Sequence, residues 1–305
     1  MHSCVVLGTI TLDLFFIGDS LTRSQDRYEL AFGGKYVADR VMQKIGGGGA
    51  NISIGLTRQG FPTLFWGILD DSLIGDYMRA ILVTEGVDTS FIEKKKDSLS
   101  VSTLILSPQG ERTIITHHPK EKHTYNQEIK KLIGECQWFV LGDAPGNTLE
   151  DKIEWGKDAK KRNVKLFIPL TAKECKEGLW QISPLIHLAD WIILNAHELA
   201  DLLNTNYQEL DLSQRNYDLV INTKGLIVTD GEKGAYAYAR MHRYYQRAIT
   251  PPTIVDTTGA GDAFASGFLS EFMRTEEIQK SLLAASRNAV SVITQIGAQE
   301  GLLKK

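Results

Sequence analysis

Thr257-Thr258-Gly259-Ala260-Gly261-Asp262-Ala263-Phe264, entered through Asp256, opens an apolar helical pattern that continues through Phe268, Leu269 and Phe272. A glycine turn running straight into a helix leaves backbone N–H groups unpaired at the positive end of the helix dipole, which favours an anion. Asp262 places a carboxylate beside that anion site. The same residues also fit a plain strand-turn-helix connection, with Asp262 as a first-turn residue that the dipole rewards. The rest of the chain decides between the two.

Upstream of this turn, strand and helix patterns alternate. A helix over 125–134 is followed by a strand over 137–142, a helix over 148–162, a strand over 164–168, a helix over 172–187, a strand over 190–194 and a helix over 196–203. This rhythm predicts βαβ units and a mostly parallel sheet with helices on both faces, a three-layer αβα architecture. Asp143 and Asn195 each follow a strand at its carboxyl end, where ligands collect in open α/β sheets. Asn195-Ala196-His197-Glu198 reads as an N-cap with a glutamate at N3. The alternative is a polar pair facing a metal-phosphate group. A strand over 225–230 ends in Thr229-Asp230-Gly231, a hairpin over 235–238 and 244–248 leads back to the glycine turn, and a helix over 276–296 is broken by Gly297-Ala298-Gln299.

The first part of the chain reads differently. A buried strand over 4–8 is followed closely by Asp13, either a polar contact for a hydroxylated substrate or a turn-forming aspartate. Residues 14–45 lack a helical period and suggest short strands at 15–17, 28–32 and 36–41, separated by Gly18-Asp19-Ser20 and Gly33-Gly34. A hairpin over 99–106 and 112–116, turning at Ser107-Pro108-Gln109-Gly110, completes this β excursion as a lid formed by about 14–45 and 99–117. Between them, Gly46-Gly47-Gly48-Gly49-Ala50-Asn51 leads into a helix that stops at Gly60. Successive glycines let backbone approach a ligand closely, and the Asn51 amide both donates and accepts, which suits sugar hydroxyls. As a dinucleotide fingerprint the cluster is poor, lacking the third glycine and a tight preceding strand, which argues against a nicotinamide-dependent dehydrogenase. His117 and His118 face opposite ways on an extended chain and read as surface residues rather than a metal site.

At 305 residues with a net charge of −3, the chain is sized for one large α/β domain, and its charge points to no nucleic-acid or membrane partner. Cys4, Cys136 and Cys175 are odd in number and widely spaced, which suits a reducing compartment. The apolar run over 4–17 lacks a basic lead and a cleavage site and is interrupted by Asp13, so a cytoplasmic location is expected.

The glycine cluster before one helix and the Asp256 to Asp262 signature before another resemble the paired signatures of the ribokinase-like (PfkB) sugar kinases. Asp13, Asn195-x-x-Glu198, Thr229-x-Gly231 and Gly297-Ala298-Gln299 follow in the same order along nearly the whole chain. The resemblance implies ATP-dependent transfer of the γ-phosphoryl group to a hydroxymethyl group. It makes Asp262 the base, and the N–H groups of Gly259, Ala260, Gly261 and Asp262 the anion hole. It assigns Asp13, Gly47, Gly48, Asn51 and Asp143 to the substrate, and Asn195, Thr229, Gly231, Gly234, Gly261 and Ser286 to the nucleotide. Mg²⁺ would be held by Asn195 and Glu198 through water, and K⁺ by Asp256 with carbonyls of Thr258, Val292 and Gly297. Gly301 replaces a serine that often adds a ligand to that K⁺. Many ribokinases carry a lysine where this chain has Gly48, and the 14–45 excursion is long. Both leave room for a nucleoside, while the Thr257-Thr258 pair and the Gly-Ala-Gln ending favour a sugar. The same lid often pairs subunits in this family, so a homodimer is expected. A catalytically silent sugar- or nucleotide-sensing module is disfavoured by the intact Asp262.

Overall fold

Cys4–Leu7 (β1) is buried along its whole length and lies near one edge of an eight-stranded sheet. The computed structural model describes residues 2–18, 22–24, 27–106, 112–214 and 216–305. In chain order the remaining strands are β2 (Thr11–Ile17), β3 (Thr22–Ser24), β4 (Arg27–Glu29), β5 (Arg40–Gly46), β6 (Thr63–Trp66), β7 (Ile68–Asp70), β8 (Glu93–Lys95), β9 (Val101–Leu106) and β10 (Arg112–His117). They continue with β11 (Trp138–Leu141), β12 (Lys165–Pro169), β13 (Trp191–Asn195), β14 (Gly225–Thr229), β15 (Ala235–Ala239) and β16 (His242–Gln246). The helices are α1 (Gly48–Arg58), α2 (Leu73–Thr84), α3 (Gln127–Glu135), α4 (Leu149–Lys161), α5 (Ala172–Glu177), α6 (Leu179–Ile186), α7 (Ala196–Leu202), α8 (Tyr217–Val220), α9 (Ala260–Thr275) and α10 (Ile278–Ile293).

The main sheet runs β16-β15-β14-β13-β12-β11-β1-β6; β6, β1 and β11 to β14 are mutually parallel, and only the β15 and β16 hairpin is antiparallel. Alternate side chains of each strand enter opposite cores, as the two-residue pleat requires. Val5, Leu7, Phe139, Leu141, Leu166 and Ile168 pack with residues of α3, α4 and α6. Cys4, Val6, Trp138, Val140, Phe167 and Trp191 pack with α1, α9 and α10. The expected mostly parallel sheet with helices on both faces is thus what the chain forms.

A second, four-stranded sheet has the order β10-β9-β2-β5. Its register puts Asp13 beside Lys44 and Ser102, on the face that also carries the buried Phe15 and Leu104. Phe16, Val41 and Ile115 lie on the opposite, outward face.

Several expected boundaries move. The single helix over 172–187 is two helices, because Gly178 takes φ of 83° and ends α5 while starting α6. The strand expected at 36–41 forms at Arg40–Gly46, and the one at 28–32 shortens to Arg27–Glu29. The turn at Ser107-Pro108-Gln109-Gly110, with Asp19 and Ser20, lies outside the described residues. Among the described residues no helix is long and apolar enough to cross a membrane.

Candidate active site

Helices α1 and α9 both begin at a glycine and neither start carries a side-chain cap. By contrast, α2, α3, α4, α5 and α7 are each capped by Ser, Thr or Asn, whereas α6, α8 and α10 also lack a side-chain cap. Gly259 sits in the left-handed region at φ 76°, and a Cβ there would come within 2.3 Å of Ala298 Cβ. Only glycine therefore fits this turn. A Cβ on Gly261, one residue into the helix after Ala260, would meet no atom within 4 Å, so the start of α9 opens onto free space.

Asp262 is half-buried on this first turn, and its Oδ2 accepts from Asn51 Nδ2 at 2.8 Å. Burial pushes its carboxyl above the usual range, and the Asn51 hydrogen bond works against that rise. A weaker acid is a stronger conjugate base, which suits proton abstraction nearer neutral pH. Gly48 lies against the same carboxyl, where a Cβ would stand 3.3 Å from Asp262 Oδ1.

The other glycines of the cluster serve close approach. Gly47 has φ 91°, and a Cβ would meet Thr9 O at 2.7 Å. A Cβ at Gly46 would collide with Asp13 Oδ2, so that glycine makes room for the aspartate. Asp13 is 5 % exposed. Burial raises its pKa to about 7, with the Ser102 hydroxyl lowering it and the negative Asp256 adding to the rise. Asp143 is half-buried beyond β11; burial raises its pKa, Lys152 opposes this and Glu174 reinforces it.

Asp256 ties the turn to the loop after α10. Its Oδ1 accepts from Thr258 N at 3.0 Å and Thr258 Oγ1 at 2.7 Å, while Oδ2 accepts from Gly297 N at 3.1 Å. Asp256 N and Val255 N donate to the carbonyl of Ile293, next to Val292. The expected cation residues are therefore neighbours, although Gly297 reaches Asp256 through its N–H rather than its carbonyl.

Among the residues expected at the nucleotide, β13 and β14 pair Asn195 directly with Thr229. Asn195 Oδ1 accepts from Glu198 N at 2.9 Å and Glu198 Oε2 accepts from Asn195 N at 2.8 Å, a complete capping box. The bland role is thus real: these side chains cap α7. Glu198 is half-buried, which raises its pKa. Gly231 and Gly234, at φ 49° and 98°, form the tight turn after β14, closed by Asp230 N to Gly234 O at 2.8 Å. Ser286 is buried midway along α10, on a different element from this turn.

A family model for the pfkB family carbohydrate kinases matches residues 1–305. The chain belongs to the pfkB family of carbohydrate kinases. A pfkB-family kinase is a phosphotransferase acting on an alcohol group, and this one is a sugar or nucleoside kinase. It is 23 % identical to a 5-dehydro-2-deoxygluconokinase of Lacticaseibacillus casei, covering 85 % of this chain and 83 % of the relative. It is 26 % identical to a fructokinase of Escherichia coli (86 % and 90 % covered) and 24 % identical to an adenosine kinase of Schizophyllum commune (77 % and 74 % covered). The structure of Arabidopsis thaliana ribokinase complexed with ribose and ATP has the same fold, with a TM-score of 0.78 at 19 % identity over 99 % of this chain and 96 % of that one.

Several residues of this candidate site escape a linear reading. Gln299 Nε2 donates to Asn51 Oδ1 at 2.8 Å, so both ends of the Asn51 amide are engaged within the protein rather than left to a ligand. Gly297-Ala298-Gln299 stands out in sequence as a helix ending, and nothing local signals that it braces Asn51 and Gly259. Lys152 is buried and pairs with Glu174 at 2.5 Å beside Asp143. His118, expected at the surface, is half-buried with Nδ1 2.7 Å from Ser100 Oγ; His117 is exposed.

Proposed function

We propose that this kinase transfers the γ-phosphoryl group of ATP to a hydroxymethyl group of a small sugar of the ribose or fructose type. The observation that carries the reading is Asp262, a carboxyl raised by burial, fixed by Asn51, and set at an uncapped glycine helix start that opens onto free space. Asp262 accepts the proton of the sugar hydroxyl as that oxygen forms its bond to the γ-phosphorus. The bond from phosphorus to the β–γ bridging oxygen breaks and its electron pair leaves with ADP. N–H groups at Gly259, Ala260, Gly261 and Asp262 stabilise the charge spread over the transferring group, and need little reorganisation because Asp256 and Ala298 already hold the turn.

Asp13, Gly47, Gly48 and Asp143 contact sugar hydroxyls in this reading, and Asn51 acts on the substrate chiefly by aiming Asp262. Thr229, Gly231 and Gly234 line the nucleotide, with Ser286 on the adenine side. The oxygen donors of Asn195 and Glu198 suit a hard cation that keeps its waters, and would hold Mg²⁺. Bound there, the ion offsets the negative charge of the phosphates. The carboxylate of Asp256 and the carbonyls of Thr258, Val292 and Gly297 offer an all-oxygen setting for K⁺. The second sheet acts as a lid inserted in one kinase domain, with its Asp13 face over the substrate. Its outward apolar face is the contact of a homodimer.

The test is an ATP-consumption screen with D-ribose, D-fructose, 5-dehydro-2-deoxygluconate and adenosine, run in KCl and in NaCl at equal ionic strength. A ribose- or fructose-type sugar should be turned over best, and faster in KCl. Asp262→Asn should lose about a hundredfold or more in kcat, the usual contribution of a general base. Turnover of adenosine alone would move the assignment to a nucleoside kinase, as Gly48 in place of a lysine permits. Near wild-type rates in Asp262→Asn would remove that residue from the mechanism.

A further inference from the structure

The turn after β14 is closed on itself. Asp230 N donates to Gly234 O at 2.8 Å, Lys233 N to Asp230 O at 2.9 Å and Gly234 N to Gly231 O at 3.1 Å. A Cβ at Gly231 would meet no atom within 4 Å, so this side of the turn is open. Internal hydrogen bonds fix the shape of such a turn, but its place relative to α7 is set by what holds it from outside. Tyr245 in β16 does so from one side, its hydroxyl donating to Lys233 O at 3.0 Å.

Tyr207 holds it from the side of α7. This tyrosine begins a single 3₁₀ turn, Tyr207–Glu209, shortly after that helix. Thr205 Oγ1 and Asn206 Nδ2 pin the 3₁₀ turn by donating to the two carboxylate oxygens of Glu209, at 2.7 and 2.8 Å. Tyr207 is half-buried, and its ring stacks on His197 with the centroids 4.2 Å apart. His197 stands between Asn195 and Glu198, inside the capping box that starts α7. The Tyr207 hydroxyl donates its one hydrogen to Asp230 Oδ1 at 2.7 Å and accepts from Lys233 Nζ at 2.6 Å. The hydroxyl thus donates and accepts on the turn, while the ring packs on α7.

We propose that Tyr207 is a positioning residue for the phosphoryl donor: it ties the turn carrying Gly231 and Gly234 to the helix start carrying Asn195 and Glu198, and so fixes the spacing between two walls of the nucleotide site. The pairing of Asn195 with Thr229 fixes only the strand ends. The residues beyond them need a tie of their own, or the nucleotide must order them as it binds, at a cost in affinity. Tyr207 acts through these residues and not by contact with the nucleotide. This rests on the nucleotide assignment proposed above and deepens it.

Tyr207→Phe keeps the ring on His197 and removes the hydroxyl. Lys233 can then pair only with the Asp230 carboxylate, 4.0 Å away, a contact inside the turn that leaves it untied from α7. The dissociation constant for ADP with Mg²⁺, measured by calorimetry without a phosphoryl acceptor, should rise about fivefold, the worth of one hydrogen bond. KM for ATP should rise with it, while KM for the acceptor stays unchanged. Asp230→Ala should weaken ADP to a similar extent, and Asp230→Asn, which keeps an oxygen for the hydroxyl, should weaken it less. Tyr207→Phe combined with Asp230→Ala should bind ADP no more weakly than Asp230→Ala alone, because both remove the same bond. Unchanged ADP binding in Tyr207→Phe, losses that add in the double variant, or an equal rise in the acceptor KM overturns the proposal and leaves Tyr207 a structural residue. Gly234→Ala separates that outcome from a failure of the nucleotide assignment. A Cβ there would lie 2.2 Å from Gln246 O, on backbone at φ 98°, so this substitution distorts the turn directly. If Gly234→Ala weakens ADP and Tyr207→Phe does not, only the positioning role fails. If neither weakens it, the nucleotide assignment to this turn fails and the proposal falls with it.

Discussion

Asp13 is held in a position that folding alone disfavours. It is 5 % exposed and close enough to the carboxylate of Asp256 for the two charges to repel, and its pKa rises from 3.8 to about 7. A native pKa above the unfolded value means that the folded state keeps the proton longer. Between about pH 4 and pH 7 the unfolded chain has lost this proton while the folded chain retains it, so stability falls as pH rises through that window. The shift corresponds to a cost on the order of 4 kcal/mol above pH 7. Asp13→Asn should flatten that part of the Tm–pH curve and melt higher than wild type at pH 8, while weakening sugar binding. Parallel Tm–pH curves for the two proteins would refute the account. A residue that destabilises the fold yet stands at a proposed substrate contact fits a trade of stability for function.

At the scale of elements, the site depends on how closely α1 and α9 pack. A Cβ at Gly55 would lie 2.3 Å from Ser266 Oγ and 2.6 Å from Ser266 Cβ. Helix propensity favours alanine over glycine by about 0.5–1 kcal/mol. Overpacking of a tight contact costs typically about 1–3 kcal/mol, and an approach this short belongs at the unfavourable end. The clash should win, so Gly55→Ala should lower Tm. Because α1 carries Asn51 and α9 carries Asp262, separating the helices also strains their 2.8 Å hydrogen bond. The loss in kcat/KM should therefore exceed what the fraction unfolded explains. A rise in Tm on this substitution would show that the helices part without cost.

For the whole molecule, the second sheet has two unlike faces. Asp13, Phe15 and Leu104 turn inward and are buried; Phe16, Val41 and Ile115 turn outward and are exposed, and Leu30 lines a cavity with Phe16. This outward face is the one proposed above as the contact of a homodimer. In the proposed homodimer, Val41→Asp combined with Ile115→Asp should give a monomer by light scattering, and an unchanged mass would remove this face from the proposed contact. Much of the architecture was legible in the chain itself. Short apolar runs alternating with helical periods are local signals, and they predicted the parallel sheet, the glycine helix starts at Gly47 and Gly259, and the β excursion. Motif order along the chain predicted the kinase family. Boundaries set by a single backbone angle, such as the break at Gly178, could not be read, because a glycine in a helical pattern does not announce its φ. Nor could Gln299 on Asn51, Ser102 on Asp13, or Lys152 beside Asp143. Each is a pairing of residues far apart in sequence, and hydrogen-bond direction, burial and charge repulsion exist only once the chain has brought them together. The parallel sheet and the family follow from local pattern and motif order; which carboxyls are raised and which amides are already engaged follow only from contacts between distant residues in the folded chain.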